Sequence, residues 1–81
     1  MRVSGRIPMT RITITAELIE EPEGGYTVYC PELDIYTQGD DEDDAIRNLE
    51  EAASLHIEEV GFENLTLRRT VRKMLEMTVH G

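Results

Sequence analysis

Between Gly24 and Val60 the spacing of apolar residues changes period once, and this change limits the fold more than any other feature. Before Gly39, Tyr26, Val28 and Cys30 alternate with Thr27 and Tyr29, the period-two pattern of a half-buried strand. Beyond Asp41, residues Ala45, Ile46, Leu49, Ala52, Ala53, His56, Ile57 and Val60 recur at the spacing of one helix face. The chain therefore provides short strands and one long amphipathic helix to cover them. Asp40 and Asp41 compete as N-cap, and Glu42, Asp43 and Asp44 fill a first turn whose free N–H groups and dipole favour carboxylates. Gly39 is expected to release the backbone before the helix, and Gly61 to end it at positive φ.

The flanking segments extend the same logic. From Arg11 to Glu20, Ile12, Ile14, Ala16 and Leu18 alternate with Thr13, Thr15 and Glu17, which predicts a first strand. Glu21-Pro22-Glu23-Gly24-Gly25 is turn chemistry, so this strand pairs antiparallel with the next. Pro31 ends ladder donation, Glu32-Leu33-Asp34 turns the corner, and a third strand runs from Ile35 to Gln38. A helical turn is expected near Leu67 to Thr70, then a fourth strand from about Arg72 to Val79, parallel to the first. The expected architecture is α+β, a β-β-β-α-β mixed sheet in the order 3-2-1-4 with one helix on one face. The other face is left open, and that face, with Ile19, Tyr29 and Tyr36, or the edge of the fourth strand is the expected contact surface. Residues 1–10 read as a disordered basic leader, and 11–81 as one domain.

Size and charge narrow the functional classes. A chain of 81 residues buries only about 60% of its unfolded surface. No disulfide set or metal clip adds a staple, so a homodimer or tetramer is expected. A single cysteine and the lack of an apolar signal segment fit the cytoplasm, and no apolar run is long enough for a membrane span. The net charge of −9 is unevenly spread: Glu17 to Glu63 holds sixteen Asp and Glu against Arg47 alone, a local −15. Such a body repels phosphate and attracts a basic partner. Arg68, Arg69, Arg72 and Lys73 form the one basic cluster in the C-terminal part, an alternative contact for nucleic acid.

Catalytic readings are weaker. Glu17, Glu32, Asp34 and Asp40 are the carboxylates available to a two-metal nuclease, but their spacing matches no metal motif and turns or caps explain them. His56 lies on the apolar arc, His80 near the C-terminus and Cys30 within a strand. They suggest neither a zinc site nor a nucleophile, and no cofactor is expected.

One block is familiar as a whole. Gly25-Tyr26, Tyr29-Cys30-Pro31-Glu32-Leu33 and Gln38-Gly39-Asp40, followed by Ala45, Leu49 and Ala52, resembles the HicB-like antitoxin family. Many members carry a Pro-Gly pair after the leucine, where this chain has Asp34-Ile35. The resemblance implies a partial RNase-H-like fold and a protein that neutralises a basic, mRNA-cleaving HicA-type ribonuclease by occlusion. On that view Asp40, Asp41, Glu42, Asp43, Asp44, Tyr29 and Tyr36 are candidate partner-binding residues. Members often append a DNA-binding module, and residues 64–81 are too few for one together with a returning strand. Operator binding by this chain alone is not expected, and an orphan regulator acting through its basic segment is the alternative.

Overall fold

The structure, a computed structural model, describes residues 11–81; the leader expected over residues 1–10 lies outside them. Three strands, β1 (Glu17–Glu20), β2 (Tyr26–Cys30) and β3 (Ile35–Gly39), form an antiparallel sheet in the order β1-β2-β3. One helix, α1 (Glu42–Val60), packs on one face, so the domain is α+β.

β1 is shorter than its alternation predicts, and the reason lies across the ladder. Glu17 pairs with Tyr29, so continuing the register would set Thr15 opposite Pro31, which has no N–H to donate. The Thr15 N–H donates instead to Glu32 Oε1 at 2.8 Å, and Thr15 Oγ1 donates to Glu32 Oε2 at 2.6 Å. A side-chain clamp thus replaces the ladder where the strand stops. The β2–β3 corner closes over Pro31 to Asp34, with Asp34 at φ 57°, a left-handed conformation that Asp tolerates better than bulkier residues.

The β3-to-α1 entry behaves differently from the sequence expectation. Gly39 does not have positive φ, so it is not there for backbone freedom. A Cβ at this position would land in the backbone of Asp44 and Ala45, so glycine is required by the close approach of the helix. Asp41 is the N-cap, its Oδ1 accepting the Asp44 N–H at 2.8 Å. At the other end Gly61 adopts φ 86° and its N–H donates to Ile57 O at 2.8 Å, as expected of a terminating glycine.

The core is small. Val28, Cys30, Leu33, Ala45, Leu49 and Ala53 are buried, and Ile14, Ala16, Tyr26, Ile35 and Leu65 pack around them. Only two residues separate β3 from α1, so the helix folds back over β3 and β2. Leu18 of β1, on the helix side of the sheet, stays 36% exposed.

The fourth strand is the main correction. Residues 72–79 form no strand, and among the described residues the sheet has three strands rather than four. The expected turn near residues 67–70 is also absent; a single 3₁₀ turn occurs earlier, at Phe62–Asn64. From Leu65 the chain passes the body, where the Arg68 N–H donates to Glu32 O at 3.0 Å and Arg72 Nε lies 3.6 Å from Glu17. Beyond Arg72 it leaves. Met74, Leu75, Met77 and Val79 are 93%, 81%, 76% and 74% exposed. An added strand beside β1 would have no helix above it within one chain. Little apolar area would then be buried to offset the entropy of ordering eight residues.

Candidate functional site

The residues singled out from the sequence fall on two surfaces and in one basic cluster. The first is the start of α1. Asp41 and Asp44 are engaged locally: Asp41 caps the helix, while Asp44 accepts from the Asp40 N–H at 3.0 Å and pairs with Arg47 at 2.6 Å. Asp40, Glu42 and Asp43 face solvent. The acidic run is thus built into the helix start, where the dipole accounts for its charge.

The second surface is the sheet face away from α1. Tyr29 and Tyr36 sit opposite each other in the β2–β3 register and stack, with centroids 4.4 Å apart and planes inclined by 28°. Tyr29 Oη donates to Asp34 Oδ1 at 3.1 Å, and this bond is the main reason its hydroxyl holds its proton to higher pH than usual. Ile19 of β1 lies on the same face, half exposed. The structure therefore unites Tyr29 and Tyr36, and separates them from the Asp40–Asp44 run at the far end of β3.

The basic cluster is divided by its surroundings. Arg68 Nη1 lies 3.8 Å from Asp34 and Arg72 Nε 3.6 Å from Glu17, loose exposed pairs of small energetic value. Both neutralise carboxylates of this body. Arg69 and Lys73 are exposed.

The third surface was not evident from the periodic pattern. The outward ridge of α1 carries Glu50, Glu51, Glu58 and Glu59, all exposed, and between them Leu55 is 65% exposed. Leu55 lines two shallow depressions, one with Arg47, Glu50, Glu51 and Ser54, the other with Ile35, Ala52, His56, Glu58 and Glu59. Its off-arc position is the signal that reveals it: a large apolar residue outside the buried stripe of an otherwise regular helix. Glu58 and Glu59 also oppose local physics, since the last turn holds no basic residue and its dipole disfavours negative charge. Unlike the first-turn acids, these do not help the helix.

A fourth group of polar residues, Thr15, Cys30 and Glu32, is structural. The two Thr15 hydrogen bonds, above all the hydroxyl's, hold the Glu32 carboxyl below the usual carboxylate range. Cys30 Sγ donates to Glu32 Oε1 at 3.5 Å, and burial pushes the thiol up, so it is not poised as a nucleophile. Of the nuclease carboxylates, Glu32 is held by Thr15 and Asp34 by Tyr29, while Asp40 lies at the opposite end of β3. Among the described residues no three His, Cys, Asp or Glu side chains converge to hold a metal ion, and no helix is long and apolar enough to cross a membrane. No protein-family model, curated protein or solved structure matches this chain.

Proposed function

We propose that this chain is a HicB-like antitoxin of a cytoplasmic toxin–antitoxin pair, which binds a small basic ribonuclease of the HicA type and blocks it by occlusion. No covalent bond is made or broken by the chain itself. The observation that carries this reading is the acidic ridge of α1, where Glu50, Glu51, Glu58 and Glu59 rim the exposed Leu55. An exposed apolar residue within a charged rim is the composition of a protein interface. An RNA-cleaving partner has to be cationic to hold its substrate, so the same acids would steer it in. The Cys30-Pro31-Glu32-Leu33 to Gln38-Gly39-Asp40 block supports the family resemblance, and with it a partial RNase-H-like framework in a homodimer or tetramer.

Co-expression with the product of the adjacent small gene tests the proposal. Restored growth and a complex weakened by salt are expected; neither rescue nor complex would remove the reading. Within such a complex, Leu55→Ser combined with Glu→Gln at 50, 51, 58 and 59 is expected to reduce affinity by about 100-fold or more. Nucleic-acid regulation through Arg68, Arg69, Arg72 and Lys73 is the second reading. It has less support, because two of its four cations already lie beside Asp34 and Glu17. A gel shift on upstream DNA that disappears when the four become Ala would reverse this ranking.

A further inference from the structure

Two expectations fall short at the same place. The first strand stops at Glu17, although the alternation continues back to Ile12, and the fourth strand does not form. Both involve the outer edge of β1, along which no described strand pairs. Residues 71–79 nevertheless keep a strand pattern: Val71, Leu75, Met77 and Val79 fall on one side with Lys73 among them, and Arg72, Met74, Glu76 and Thr78 on the other. The described structure gives these apolar side chains no cover.

We propose that residues 71–79 are an exchange strand: this segment of one chain pairs along the outer β1 edge of a second copy, which reciprocates. Each sheet then gains its fourth strand from the other chain. Several observations favour this occupant and this edge. The Arg72–Glu17 contact brings the segment to the start of β1 just where it departs from its own body. Charge is complementary, since Arg72 and Lys73 would meet an edge bearing Glu17, Glu20 and Glu21. Leu18 and Ile19 are exposed along that edge. The edge of β3 is less available, because Asn48 Nδ2 already donates to Gln38 O at 2.6 Å and α1 lies over that strand. Nine extended residues span roughly 30 Å, enough to pair beyond Glu17 and extend β1 toward Ile12. Reciprocal exchange pairs both β1 edges in one assembly and brings the two bodies together, which a strand closing on its own chain does not do.

The inference deepens the oligomeric part of the proposed function and does not depend on the ribonuclease. Light scattering of the full chain is expected to give twice the 9.2 kDa mass. The Leu75→Glu/Met77→Glu variant alters side chains that are exposed in the single chain, and it is expected to weaken the dimer by about 30-fold or more. In a mixed sample with one copy isotope-labelled, filtered NMR is expected to show contacts between the Leu75 and Val79 methyls of one chain and Leu18 of the other. This measurement uses the unaltered protein, so it decides the matter even if the variant misfolds. A monomeric wild type, a dimer indifferent to the double variant, or contacts confined within one chain would each overturn the exchange strand. Failure to bind a ribonuclease would leave it standing.

Discussion

The body from Thr15 to Leu65 and the segment from Thr66 to Gly81 carry similar apolar patterns, yet only the first forms regular structure throughout most of its length. In the body, Val28 and Cys30 are fully buried because α1 sets Ala45, Leu49 and Ala53 against them. In the segment, Leu75 and Met77 alternate just as regularly and face solvent. Alternation states which residues could share a face; it becomes a strand only where an edge and a covering layer exist together. The comparison also applies within α1. Its first-turn acids are supported by capping and the dipole, whereas Glu58 and Glu59 near its end are not.

The largest test of this contrast is Gly39→Ala. A methyl group at this position meets the backbone of Asp44 and Ala45, so the helix must shift off a core of only six buried residues. A loss of about 3 kcal/mol is expected, a large share of a small domain's margin, and is read from urea or thermal unfolding. Wild-type stability would mean that α1 packs less closely on β3 than described.

Glu32→Gln is next, with an expected loss of about 1–2 kcal/mol near neutral pH, because Thr15 would bond a weaker acceptor. The pH dependence has a defined sign. Glu32 titrates lower in the folded state than in the unfolded one, so the stability gained from its ionised form is present above the ordinary carboxylate range. It is lost as pH falls through the lowered folded value. The gap between wild type and variant should close in strong acid, and a gap independent of pH would refute the clamp.

Glu58→Gln/Glu59→Gln is expected to act in the opposite direction, stabilising α1 by about 0.5 kcal/mol while weakening capture of a basic partner. Lower stability on calorimetry would show that these acids have a structural role after all. The smallest effect is expected at Met74, on the opposite side of the exchange strand from Leu75, Met77 and Val79. Met74→Ser should leave thermal stability within about 0.5 kcal/mol of wild type, and a larger drop would place Met74 in a buried contact.

Much of the body was legible because its signals are local. Asp41 and Gly61 bound α1 as their cap chemistry requires, and every residue of the predicted apolar arc is buried or partly buried. Tyr29 and Tyr36 were legible as open-face residues, but their stacking required the β2–β3 register. The role of Gly39 was misread, since a glycine needed for space and one needed for positive φ look alike in a sequence. Leu55 escaped the periodic pattern because that pattern emphasises the buried stripe.

By itself, then, the sequence determined the three strands, the helix with its caps, and the acidity of the body, all of which follow from side-chain period and charge over short spans. The tertiary structure alone decided where β1 stops, which strands α1 covers, and that residues 72–79 form no strand with the described part of their own chain. Those outcomes depend on which surfaces meet across the fold. Pro31 opposite Thr15 ends the ladder, and the short link from β3 draws the helix away from β1. The last alternating segment is left with an edge to join and no cover of its own.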